Sequence, residues 1–539
     1  MHFFSSDNPN LYIAIALSVL NGFLMCFASY KFFQMIQLSG YKLKGYFIWL
    51  KDTKAKYVSR MILLSLLSAF CVLTTNALFN VYGNAMYSYI GLIFYFYFCI
   101  VFIINLYSAP KKIPLKNTSR MTRLNISMFI FVALLSFFLI AISTEYFGFI
   151  KFGILCFVPL FVPLIVPFVH WFVWPLERFI ISRYRFKAEH KLKKMPNLIK
   201  IGITGSFGKT STKYILNTIL SQKYKVCMSP HSFNTLPGLS KVVNNYLKED
   251  DEVLIAEMGA RNVGDIKALC DFIHPKYGLI TGVGTQHMLF FKTQENILKT
   301  KYELIESLGE DGIAFFNSFN EGAKELYDRC TLKDKTLVGS ASLNAKDIKY
   351  DENGTTFTLI IDKDKIPVKT ALIGEHNVEN ILLCVAVALK LGLTKEQIVQ
   401  GISLLKPVPH RLELLKVENG YILDDSYNAS VEGSNVALEV LRQMPGKKVI
   451  VTPGLVELGQ MEYEENYNFG ASMAEAADNV IIVNKVNFDA LNSGLEANGF
   501  DMNNVYQAET LNKAKALLGE ILKGEYTVLF ENDLPDNYI

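Results

Sequence analysis

The sequence predicts a multi-domain protein: an α-helical transmembrane bundle over about residues 1–180, a P-loop α/β domain over 195–408 and a smaller Rossmann-like α/β domain over 409–539. Three observations predict it. The first 180 residues are crowded with Phe, Leu, Ile and Val, with charges gathered into short runs. A buried-strand pattern at 198–205 runs into a glycine loop and then a helical pattern from Lys209. Beyond it, short apolar runs alternate with amphipathic stretches to the end of the chain, the pattern of a mostly parallel sheet with ligands at its strand C-termini.

Five apolar segments open the chain, at about 11–30, 61–81, 89–107, 126–143 and 152–174. Each is long enough to cross a hydrocarbon core of roughly 30 Å as a helix. The first is expected to be retained, because Met1–Asn10 lacks a basic flank and no small-residue cleavage site follows. Basic residues set the orientation. The 31–60 loop carries Lys31, Lys42, Lys44, Lys51, Lys54, Lys56 and Arg60, and the 108–125 loop carries Lys111, Lys112, Lys116, Arg120 and Arg123. Another basic run, Arg183 to Lys194, follows the fifth segment, whereas the turns near 82–88 and 144–151 contain only Lys151. The expected topology is an outer N-terminus and cytoplasmic domains after residue 180, in the cell membrane. Pro159, Pro163 and Pro167 recur along one face of the fifth segment, which reads as a kinked packing face or a groove for a lipid substrate. His170 beside them reads as a bundle-facing residue.

With 54 Lys and Arg against 50 Asp and Glu, no basic field points to nucleic acid. The eight cysteines show no CxxC spacing, which leaves neither a zinc site nor a disulfide framework.

The loop Thr204-Gly205-Ser206-Phe207-Gly208-Lys209-Thr210-Ser211 lies between a strand and a helix N-terminus. That arrangement aims backbone N–H groups and the positive helix end at phosphates. Lys209 would neutralise the β/γ oxygens, and the Thr210 hydroxyl would ligate Mg²⁺. Further strands are expected at 224–229, 252–258, 277–283 and 312–317, and in the last domain at 447–452, 479–484 and 526–531. Glu257 and His287 fall at or just beyond strand ends, where both could reach a metal beside the phosphates.

These residues resemble the Mur ligase family, nearest to its D-alanyl-D-alanine-adding branch. Thr204–Thr210 is similar to the family's TGxxGKT, and Glu257-Met258-Gly259-Ala260 to its EMGA. Thr285-Gln286-His287, Ile297–Leu304, Gly374–Asn380, His410-Arg411-Leu412-Glu413, Asp424–Ala429 and Val456–Gly459 resemble later motifs in the same order. The resemblance implies an ATP- and Mg²⁺-dependent ligase that makes an acyl phosphate and then an amide. It implies Glu257 and His287 as Mg²⁺ ligands and Lys301 as a carbamylated lysine that supplies another. Asn317, His376, Asn377 and Asn380 would line the nucleotide pocket, Arg411 and Asp425 would reach ATP as the last domain closes, and Asn234, Thr235, Tyr427 and Asn428 would contact substrate. Lys209, Lys301 and His287 would carry the catalysis.

Departures from the pattern bear on the substrate. Thr235 and Leu236 follow Asn234 where a second asparagine is usual, Asn320 replaces an aspartate, and Phe530-Glu531-Asn532 stands in place of a basic KGSR-like segment. The phosphate loop follows Trp174 so closely that the family's uridine-gripping N-terminal domain has no room between them. The expected substrates are therefore a muramoyl-peptide or lipid-linked cell-wall precursor and an amino acid or dipeptide, with membrane lipid as a further partner. A poly-γ-glutamate synthetase-like membrane ligase and a non-catalytic nucleotide-binding scaffold remain open alternatives.

Overall fold

The computed structural model describes residues 9–52, 58–83, 86–108, 114–146, 153–230, 232–284, 288–427 and 429–532. The chain divides into two units, Met1–Ser182 and Arg183–Ile539.

Among the described residues, helices are the regular elements of the first unit. Its long helices are Pro9–Ala28, Val58–Tyr82, Met86–Ser108, Ser119–Tyr146 and the first part of Val158–Lys193. Leu11–Ala28, Met61–Tyr82, Ser119–Ile142 and Leu155–Lys193 are long and apolar enough to cross a membrane, and a shorter apolar run lies at Ile90–Asn105. Their outward faces are apolar as well, with Phe70, Leu134 and Phe172 exposed. The basic stretch expected to be a loop at 31–60 instead contains two short helices, Tyr30–Leu38 and Leu43–Asp52. Their Phe32, Phe33, Ile36 and Tyr46 are buried in the bundle core, so packing overrides the local charge.

Some polar groups inside this unit pair with one another, which offsets the cost of burying them in an apolar interior. Tyr95 donates to Asn21 Oδ1 at 2.6 Å, and Asn21 Nδ2 donates to Ser136 Oγ at 2.8 Å. Pro163, Pro167 and Pro175 lie inside the helix Val158–Lys193. Pro167 has no N–H to offer the carbonyl of Pro163 one turn back. The Tyr46 hydroxyl takes that place, donating to Pro163 O at 2.7 Å. Tyr46→Phe is therefore expected to leave a buried carbonyl unpaired and to cost about 1–3 kcal/mol. A thermal melt in detergent checks it; an unchanged midpoint would remove this account of the proline face. His170 is buried and faces the bundle, with Nε2 3.2 Å from Tyr41 O and its ring stacked on Tyr41. Glu177, also buried, receives Arg123 at 2.5 and 2.9 Å.

The second unit begins within the last turns of Val158–Lys193, where Ala188 and Leu192 join the core of the following domain. Its first sheet consists of β1 (Ile199–Thr204), β2 (Val226–Met228), β3 (Val253–Glu257), β4 (Tyr277–Ile280), β5 (Ile313–Asn317) and β6 (Asp334–Val338). The order is β2-β3-β1-β4-β5-β6, and every pair is parallel. Alternate residues of β3 feed opposite cores, Val253 and Ile255 one, Leu254 and Ala256 the other. Burial on both faces is why these strands read as continuous apolar runs. The register aligns Ile203 with Glu257 and Thr204 with Ile280, so the ends of β1, β3 and β4 lie level.

A small antiparallel sheet follows, β7 (Leu343–Asp351), β8 (Gly354–Ile361) and β9 (Asp364–Thr370). The last sheet contains β10 (Glu413–Val417), β11 (Gly420–Asp425), β12 (Lys447–Thr452), β13 (Asn479–Val483), β14 (Val505–Ala508) and β15 (Tyr526–Glu531). Its order is β10-β11-β15-β12-β13-β14, with only the β10–β11 pair antiparallel.

Candidate active site

The loop after β1 closes onto the loop after β4. Ser206 N donates to Gly282 O at 2.6 Å, the Ser206 hydroxyl to Gly284 O at 3.2 Å, and Thr281 Oγ1 to Phe207 O at 2.5 Å. A Cβ on Gly205 would sit 2.1 Å from Thr281 Oγ1 and 2.9 Å from Gly282 O, so the loop admits no side chain there. Thr204 is fixed by its own hydroxyl bond to Met258 O. Gly208 turns the chain into the helix Lys209–Leu220 at φ 77°, a left-handed position that suits glycine.

Lys209 folds back on the loop it follows, donating to Gly205 O at 2.7 Å and Ser206 O at 2.8 Å. Burial pulls its ammonium down to about 8; Glu257 opposes that and Arg411 adds to it. Arg411, on the last domain, therefore reaches the field of the phosphate loop. Its guanidinium lies 4.3 Å from the centre of the Tyr427 ring, whose hydroxyl donates to Ser232 Oγ across the two domains at 2.8 Å.

Glu257 is buried and carries the densest polar contacts of the site. Thr210 Oγ1 lies 3.2 and 3.3 Å from its two oxygens, Lys213 Nζ 2.9 Å from Oε2 and Asn234 Nδ2 3.3 Å from Oε1. Asn234 rests against Gly259, where a Cβ would meet its amide at 2.8 Å. Asn234 thus holds the carboxylate, while the Thr235 hydroxyl caps the helix Leu236–Asn245. Thr210 and Glu257 offer hard oxygen donors beside a phosphate loop, a fit to Mg²⁺. Among the described residues no group of three or more His, Cys, Asp or Glu converges, so these donors would need others from phosphate, water or a modified side chain. His287 and Asn428 lie outside the described residues.

Lys301 is buried on the helix Gln294–Glu306. Its ammonium is pushed down to about 7, first by burial and then by the charge of Lys209. Glu303, which opposes that shift, is itself committed to the N–H groups of Gly264 and Lys267 at 2.6 and 2.9 Å.

The residues expected to line a nucleotide pocket are spread over adjoining places. Ser211, Asn377 and Arg411 line a narrow cleft together with Lys406 and Pro407 of the interdomain segment. Asn380 accepts from Thr212 at 3.0 Å and abuts Gly208, fastening the loop from behind. Asn317 donates to Glu379 at 3.2 Å. Asn320, in place of the aspartate, caps the helix Glu321–Arg329 and accepts from Val283 N. His376 is half-buried, held by desolvation near 4 and so neutral, and its Nδ1 has no hydrogen-bond partner among the described residues.

At the end of the last sheet Asp425 stands opposite Glu531 in parallel register. Burial raises Asp425 to about 6 against the pull of Arg411, and raises Glu531 well above the usual carboxylate range, with Asp425 adding to it. Ser434 donates to Glu531 Oε1 at 2.7 Å. The folded state thus binds more protons than the unfolded chain, and this pair makes stability fall as pH rises from about 4 through 6. Glu531→Gln is expected to stabilise the protein by roughly 1–3 kcal/mol at pH 7.5 and to flatten that slope. Chemical denaturation at pH 5 and pH 7.5 checks it; equal losses at both values would contradict it.

Sequence reasoning missed Lys213, Ser232 and Thr281. Lys213 had a readable signal, one helical turn beyond Lys209, whereas the others become relevant only through the pairing of distant loops.

Comparison with known proteins matches residues 203–388 to the Mur ligase middle domain and 410–530 to the Mur ligase glutamate ligase domain. The chain is 31% identical to the UDP-N-acetylmuramoyl-tripeptide–D-alanyl-D-alanine ligase of Bacillus subtilis over 276 residues, covering 50% of this chain and 59% of that enzyme. The corresponding Escherichia coli enzyme is 31% identical over 291 residues, covering 53% and 64%. The chain thus spans about three fifths of the length of these relatives. The structure of MurF from Thermotoga maritima in complex with ADP superposes with a TM-score of 0.57 at 27% identity, covering 66% of this chain and 80% of that one. MurF from Acinetobacter baumannii shares the fold, with a TM-score of 0.60 at 24% identity, covering 66% and 77%.

Proposed function

The chain belongs to the Mur ligase family through residues 203–530, and from that we propose that it is an ATP-dependent amide-bond ligase anchored to the inner face of a membrane by its N-terminal helices. The observation that carries this reading is the glycine loop after β1, with Lys209 donating to its carbonyls, Thr210 beside buried Glu257, and buried Lys301 within the field of Lys209.

The acid substrate's carboxylate attacks the γ-phosphorus of ATP, and the bond to the β-phosphate bridge breaks. Lys209, Arg411 and the loop N–H groups would offset the negative charge that gathers there. Thr210 and Glu257 would hold Mg²⁺, whose charge supplies further stabilisation when bound. An amine then attacks the acyl carbon, loses its proton, and phosphate leaves with the C–O bonding pair. Tyr427 and Arg411 on the last domain would help to seal the site against water, which competes for the acyl phosphate.

The acid is proposed to be a muramoyl peptide or a lipid-linked cell-wall precursor, and the amine an amino acid or dipeptide. The relatives' names support the muramoyl peptide and D-alanyl-D-alanine. The apolar outward faces of the first unit and the inside-positive loops support a membrane location with an outer N-terminus and cytoplasmic catalytic domains. The test is phosphate release by the detergent-purified chain with MgATP, UDP-N-acetylmuramoyl-tripeptide or its lipid-linked form, and D-alanyl-D-alanine. Release that needs both acid and amine, with the matching mass gain, is the expected result. ATP binding with no stimulated turnover across both precursors would favour a nucleotide-binding scaffold instead.

A further inference from the structure

Lys213 lies on the helix that follows the phosphate loop, one turn beyond Lys209, and its side chain is 0% exposed against 1% for Glu257. The two meet at 2.9 Å through Oε2. Among the described residues the other oxygen, Oε1, faces neutral donors, the amide of Asn234 at 3.3 Å and the Thr210 hydroxyl at 3.2 Å, the hydroxyl also lying 3.3 Å from Oε2. The carboxylate is thus divided, one oxygen held by a fixed cation and the other turned toward neutral donors. Two further cations, Lys209 and Arg411, bear on the same space.

A buried ion pair is poor value for stability, because desolvation offsets most of its attraction. Its merit here is electrostatic. A divalent ion that approaches the empty loop meets a carboxylate already neutralised, with positive charge around it. Only the phosphates of a nucleotide reverse that balance.

We propose that Lys213 is a positioning residue that holds Glu257 by one oxygen and keeps it from capturing a divalent cation before the nucleotide arrives. The inference rests on the reading of Glu257 as a Mg²⁺ ligand. It makes metal binding conditional on nucleotide: the ion enters with the phosphates, and Glu257 meets it through Oε1 in a rotamer that Lys213 fixes.

The experiment is Mn²⁺ binding to the full chain in detergent, read by the electron-paramagnetic-resonance signal of free Mn²⁺, with and without a non-hydrolysable ATP analogue. Wild type should bind Mn²⁺ weakly alone and tightly with the analogue. Lys213→Met should tighten nucleotide-free binding about tenfold or more, because the buried carboxylate then lacks a counter-charge. Lys213→Arg should remain like wild type. Where the methionine variant does not fold, Lys213→Gln decides the same point, since it keeps an N–H donor and removes the charge. Glu257→Gln separates the two levels of the argument. Undiminished Mn²⁺ binding with the analogue in that variant would overturn the metal reading of Glu257. Loss in Glu257→Gln, with nucleotide-free binding unchanged in Lys213→Met and Lys213→Gln, would overturn the inference about Lys213 alone.

Discussion

Lys301→Ala is expected to lower turnover by about 10³-fold or more, with partial rescue by formate, acetate or propionate. An ammonium cannot ligate a metal, and this side chain is buried beside a second lysine. Those two conditions, burial first, hold its pKa at about 7, so much of it is neutral amine at physiological pH. A neutral amine adds CO₂ at its nitrogen and loses a proton, and the resulting carbamate would bring a negative charge to the space that Lys209 faces. A small carboxylic acid can enter the gap left by alanine and supply the same charge. Full activity in Lys301→Ala, or an activity insensitive to added acids, would exclude this role. ¹³C-NMR on protein equilibrated with labelled CO₂ reads the carbamate directly.

The same burial has a thermodynamic sign. The folded state binds fewer protons than the unfolded chain between about pH 7 and 10.5, so this group makes stability rise with pH across that window. Below it the penalty is present in full, roughly 3–5 kcal/mol. Lys301→Met should therefore raise the melting temperature of the unmodified protein at pH 7 while removing turnover. A residue kept for packing would behave in the opposite way.

Lys209→Ala is expected to reduce ATP turnover by roughly 10²–10³-fold and to weaken nucleotide binding. Its ammonium rests on the carbonyls of Gly205 and Ser206. Phosphate oxygens can replace those two acceptors with little rearrangement, which is the sense in which the lysine is preorganised. Lys209→Arg should not restore activity, because a planar fork does not fit a point-charge site enclosed by its own loop. Gly205→Ala should be comparably damaging, since its Cβ would collide with Thr281 and Gly282 behind the loop. Phosphate release and titration with a fluorescent ATP analogue check both. Near-normal turnover in Lys209→Ala would mean that the loop does not hold the reacting phosphates.

Strong local patterns account for what was legible in the sequence. The long apolar helices follow from hydrophobic length, and β1, β3, β5 and β12 follow from apolar runs buried on both faces. The phosphate loop was readable because strand, glycines and helix start are contiguous. The short helices Tyr30–Leu38 and Leu43–Asp52 were hidden under a basic composition, since only the bundle shows that Phe32, Phe33 and Tyr46 face inward. The antiparallel sheet β7–β9 and the strands β6, β10, β11 and β14 are short or half exposed and carry weak periodicity.

By itself, then, the sequence determined the domain order, the phosphate loop and the types of side chain the chemistry needs. Tertiary structure alone decided which partners those side chains meet. Glu257 became half of a buried pair with Lys213, Asn234 became its support, and Glu531 came to lie opposite Asp425. The physical reason is range. Hydrophobic period and turn chemistry act over a few residues, whereas burial and charge pairing depend on which strand ends the sheet order sets side by side.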